Sequence, residues 1–66
     1  MVNSIGELVR LIAHRDGISL NEAWEVVEDT QEELREMIAR GCHLDDIEET
    51  LAYNLGLELD YFEILI

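Results

Sequence analysis

The stretch SLNEAWEVVEDTQEELREMIARG, Ser19 to Gly41, decides how this chain folds. It holds a start signal, a long apolar period and a stop signal. Ser19 and Glu22 stand at capping-box spacing, where a serine oxygen accepts from the amide three residues on. Ile18 is placed to pack near Ala23 as a hydrophobic staple. Leu20, Ala23, Trp24, Val27, Leu34, Met37 and Ile38 then recur at helical spacing. Thr30 and Gln31 interrupt this stripe, and Thr30 with Glu33 repeats the capping-box spacing, so a break there is the alternative. No glycine or proline forces a stop before Gly41, and the pattern predicts one helix over 20–40. Trp24, lying on the stripe, reads as a core residue rather than a binding anchor.

The same signals recur on either side. Ser4 and Glu7 have capping-box spacing, and Ile5, Leu8, Val9 and Ile12 share a face, which predicts a helix over 5–15. Leu11 and Ala13 broaden that face. Leu44, Ile47, Leu51 and Leu55 predict a third helix over 44–55. Asp45, Asp46, Glu48 and Glu49 crowd its start, where the helix dipole favours carboxylates. Gly17, Gly41 and Gly56 each follow an apolar run, where a left-handed helix end favours glycine. The tail has short apolar runs that suit strand or helix. A strand would need a partner and no other strand is visible, so a short helix over 59–65 is expected. The fold class that follows is all-α: a small three- to four-helix bundle with a short C-terminal helix, forming one domain over 1–66.

At 66 residues the chain has room for one modest core, with a net stability of roughly 3–5 kcal/mol. Its single cysteine, Cys42, permits no internal disulfide. No stretch is long and apolar enough to span a membrane, and Met1 to Ile5 lack the pattern of a signal peptide. A cytoplasmic protein is expected.

Charge is the strongest compositional signal. The net charge is −12, with no lysine. Over 1–19, Glu7 and Asp16 cancel Arg10 and Arg15; over 20–40, seven acids face Arg35 and Arg40; over 41–66, seven acids face no base. Such a field repels nucleic acid and anionic membranes, and attracts basic protein surfaces.

No catalytic or metal-binding set emerges. His14, Arg15, Asp16 and Asn21 match the kinase pattern H-R-D-x4-N, but that chemistry needs a glycine-rich phosphate loop and a lysine. His14 and Arg15 read instead as a basic last turn that suits the helix dipole. Cys42, His43, Asp45 and Asp46 fall short of a zinc ligand set or a calcium loop. The acidic surroundings oppose a thiolate at Cys42, which reads as a packing residue. Runs such as Glu32-Glu33 and Glu48-Glu49 read as solvated faces rather than acid–base pairs. The expectation is a non-enzyme without metal or cofactor.

Two binding surfaces are candidates. Glu22, Glu25, Asp29, Glu32 and Glu36 form an acidic stripe at helical spacing, to which Asp45, Asp46 and Glu49 add. With a rise of 1.5 Å per residue the stripe carries one charge about every 5 Å, against about 3.4 Å for one DNA strand. It is either a partial imitation of a phosphate backbone or an ordinary solvated face. Leu57, Tyr61, Phe62, Leu65 and Ile66 form a candidate apolar interface, because the tail holds more apolar side chains than one narrow face needs. These residues contact a partner or wrap the core.

Two segments, Arg15 to Ala23 and Asn54 to Tyr61, resemble pieces of short acidic helical proteins encoded by phages and prophages, with Leu59 where such a tail would carry proline. The resemblance implies a setting rather than an activity. The expected function is a small acidic module, plausible for a phage or prophage, that engages a basic protein surface. Mimicry of nucleic acid, or inhibition of a host nucleic-acid-binding protein, is its sharpest form. A homo-oligomeric assembly protein joined through the apolar tail, or through the heptad-like series on helix two, is the alternative.

Overall fold

The computed structural model describes residues 4–66. Met1 to Asn3, part of the Met1 to Ile5 segment that lacks a signal-peptide pattern, lie outside the described residues. Among the described residues every regular element is helical: α1 (Ile5–Asp16), α2 (Leu20–Ala39), α3 (Leu44–Leu55), a 3-10 turn (Leu59–Tyr61) and α4 (Phe62–Leu65). The chain is an all-α bundle. Twenty residues of α2 rise about 30 Å, which accounts for most of the 33 Å long dimension of the molecule.

The helix starts follow from the serines. The Glu7 amide donates to the Ser4 hydroxyl oxygen at 3.3 Å, and the Glu22 amide donates to that of Ser19 at 3.1 Å. Each hydroxyl satisfies one amide that lacks a partner inside its helix. His43 holds the corresponding position before α3 without a side-chain hydrogen bond, and Asp45 and Asp46 supply the negative charge in that first turn.

The helix ends follow from glycines in the left-handed region, Gly17 (φ 66°), Gly41 (φ 75°) and Gly56 (φ 64°). The next amide turns back on its helix: Ile18 to the Ala13 carbonyl at 3.0 Å, Cys42 to that of Met37 at 3.0 Å, and Leu57 to that of Leu51 at 3.3 Å. Each turn carries the residue after glycine inward. Ile18 and Cys42 pack against the core, and Leu57 lies within it.

Helix α2 runs unbroken through Thr30. That side chain is buried in the core, and its hydroxyl donates to the Val26 carbonyl one turn back at 3.0 Å. A buried polar residue is tolerated because its hydrogen bond is made inside the helix. Gln31 reaches the other way: its Nε2 donates to the Leu65 carbonyl at 3.0 Å. The polar pair that interrupts the apolar stripe is therefore the place where α2 ties down the end of the chain.

The core comprises Leu8, Val9, Ile12 and Ala13 of α1; Ala23, Val27, Leu34 and Met37 of α2; Ile47, Leu51 and Leu55 of α3; and Leu57 and Leu65 of the tail. It differs from the sequence expectation on α2. Trp24 is 37% exposed rather than enclosed, and Leu20 and Ile38 of the same stripe are exposed as well. The buried series Ala23, Val27, Thr30, Leu34 and Met37 lies to one side of the stripe's midline. Leu44, expected on the inner face of α3, is also exposed.

The left-handed ends and the Gln31 tie are separately testable. Gly41→Ala places a Cβ in open space at φ 75°, so only backbone strain is added. Unfolding in urea is expected to show a loss of about 1–2 kcal/mol, whereas Gly6→Ala, within a helix and with nothing nearby, is expected to gain about 0.5 kcal/mol. Equal stability of Gly41→Ala and the parent would contradict a required left-handed position. Gln31→Ala is expected to cost about 1 kcal/mol and to speed amide exchange selectively in residues 59–66. Uniform exchange across the chain would show that the bond does not hold the tail.

Candidate functional site

The residues of α2 and α3 that face one another above the core leave a groove. Glu33 and Met37 come from α2, and Asp46, Glu49, Thr50, Ala52, Tyr53 and Asn54 come from α3; together they line about 710 Å³. A second hollow of about 350 Å³ is lined by Val26, Asp29 and Thr30 of α2, and shares Tyr53 and Asn54. All the charged side chains lining the two hollows are acidic.

Two hydrogen bonds shape this groove. Asn54 Nδ2 donates to Glu33 Oε2 at 2.8 Å, linking the helices across it. The Thr50 hydroxyl lies 3.0 Å from the Asp46 carbonyl oxygen and 3.3 Å from the Met37 sulfur, two acceptors for one proton. Tyr53 stands out from the helix with 91% of its surface exposed. A ring so placed gives the core almost nothing and leaves its face open to a ligand.

The residues of the expected acidic face divide. Asp46 and Glu49 line the groove, and Asp29 lines the second hollow beside it. Glu22, Glu25, Glu32 and Glu36 are exposed along α2, turned away from its buried series, and Asp45 is exposed in the first turn of α3. The stripe and the groove are thus neighbouring surfaces of one helix. Glu33 and Tyr53 are groove residues that the sequence reading does not single out. Glu33 looked like part of a solvated run, and its position toward α3 depends on tertiary packing. Tyr53 did carry a signal, because it falls outside the spacing of Leu44, Ile47, Leu51 and Leu55.

The apolar tail is mostly occupied. Leu57 and Leu65 are in the core, Tyr61 and Phe62 are partly buried against it, and only Ile66 of the five expected interface residues is largely exposed. The reason is geometric: Gly56 reverses the chain, and the Gln31 bond to Leu65 holds the tail against α2.

The remaining candidates are placed as follows. Arg15 donates from Nε and Nη2 to both carboxylate oxygens of Asp16, at 2.9 and 3.1 Å. These hydrogen bonds hold the Asp16 carboxyl below its usual range and raise Arg15 above its own. The same guanidinium lies against Gly56, where a Cβ would come within 3.3 Å of it. His14 is exposed, Cys42 is half-buried and His43 is exposed. Among the described residues no three His, Cys, Asp or Glu side chains converge as a metal site, and no helix is long and apolar enough to cross a membrane. No family model, curated protein or solved structure matches the chain.

The concentration of charge on α2 and α3 has a direct consequence for stability. Like charges repel over a Debye length of about 30 Å at 0.01 M salt and only about 3 Å at 1 M. The melting temperature is expected to rise by about 5 °C between low and high NaCl, read by circular dichroism. A melting temperature indifferent to salt would mean that these carboxylates do not strain the fold.

Proposed function

We propose that this chain is a small non-enzymatic binding module that engages a basic surface on a partner protein, in the cytoplasm and in a phage or prophage setting. One observation carries the reading: the acidic side chains of α2 and α3 cover both the outer side of α2 and the groove beside it, and no base lines that groove. A surface of this kind speeds encounter with a basic partner and repels nucleic acid. In the setting that the phage resemblance implies, the partner would be a host nucleic-acid-binding protein, whose basic surface the module would occupy in place of a phosphate backbone. Of the residues on which the homo-oligomeric alternative draws, Leu20, Trp24, Ile38 and Ile66 are exposed, whereas Leu57 and Leu65 lie in the core.

Capture of partners from a bacterial lysate on the immobilised protein, at about 0.05, 0.15 and 0.5 M NaCl, tests this. The expected result is a specific partner with a basic surface whose retention falls steeply with salt. Retention only of neutral or acidic proteins, or retention unaffected by salt, would count against it.

A further inference from the structure

We propose that the groove between α2 and α3 is a docking site for an arginine carried on a basic segment of a partner protein, with the guanidinium resting on the face of Tyr53. This rests on the proposed binding of a basic surface and names where and by what chemistry it occurs. Tyr53 is 91% exposed and borders both hollows. An accessible ring among carboxylates attracts a cation by its quadrupole as well as by the surrounding charge. Glu33, Asp46 and Glu49 line the groove beside it. Asn54 already holds Glu33 at 2.8 Å, so less freedom of that carboxylate is lost on binding. Met37 adds apolar lining, against which the aliphatic stem of a long basic side chain can pack. Arginine suits these surroundings better than lysine: its guanidinium is planar, stacks on aromatic rings, meets carboxylates with two parallel donors and is more weakly hydrated.

The probes are hexa-arginine and hexa-lysine peptides, titrated into the full chain at about 0.15 M NaCl and followed by amide NMR shifts. Hexa-arginine is expected to bind more tightly than hexa-lysine, with the largest shifts in residues 46–54. Tyr53→Ala is expected to weaken hexa-arginine about five-fold while leaving the melting temperature unchanged, as its exposure requires. Glu33→Gln with Glu49→Gln is expected to weaken binding more than Glu25→Gln with Glu32→Gln, although both pairs remove the same charge. Equal weakening by the two pairs, together with no effect of Tyr53→Ala, would overturn the groove and leave a diffuse attraction to basic partners standing. Failure of both peptides to bind would also overturn it, and the lysate capture would then judge the broader reading separately. Shifts around Tyr53 that appear on raising the protein concentration alone would overturn it in favour of a second copy as the occupant.

Discussion

The bundle depends on three reversals of the backbone. At Gly17, Gly41 and Gly56 the chain passes through the left-handed region, which a side chain at Cβ disfavours by about 1–2 kcal/mol. Each reversal ends a helix and directs the following residue, Ile18, Cys42 or Leu57, onto the core. In a chain this short, with no disulfide among the described residues, fixed helix ends substitute for the covalent staples that small domains often use. They also set the order of packing: α1 against α2, α2 against α3, and the tail back over the pair.

Helix α2 is where structure and candidate function meet. Its inner face supplies Ala23, Val27, Thr30, Leu34 and Met37 to the core. One flank presents Val26, Asp29 and Glu33 toward α3, and the outer side presents Glu22, Glu25, Glu32 and Glu36. Gln31 fastens the tail. The acidic surface is therefore mounted on the element with the most tertiary support. Repulsion among its carboxylates is carried by the core beneath rather than by the helix alone, which like charges three and four residues apart would weaken. Rigid support of this kind favours recognition, because little ordering remains to be done when a partner arrives.

The groove adds a feature that charge by itself does not supply. A uniformly acidic surface attracts any cation and selects poorly. Tyr53 and Met37 make part of this groove aromatic and apolar, and the Asn54–Glu33 bond fixes one carboxylate across it. Selectivity among basic partners, in the proposed function, comes from that combination of a fixed acid and an exposed ring.

The sequence by itself determined where the helices begin and end. Ser4, Ser19, Gly17, Gly41 and Gly56 act through bonds and dihedral preferences within a few residues of themselves, so their effect needs no knowledge of the fold. It also determined the charge carried by each helix. What only the tertiary structure decided was which edge of each apolar stripe is covered. Leu20, Trp24 and Ile38 share a stripe with Ala23, Val27 and Leu34, yet the first three are exposed and the last three are enclosed. Helical periodicity defines a broad arc, and a neighbouring helix covers only part of it, so the covered part depends on where α1 and α3 come to rest. Gln31 and Glu33 show the same limit: each gains its partner, Leu65 or Asn54, from a segment more than twenty residues away. The spacing of α2 says nothing about that distance in space, because only packing brings the two segments together.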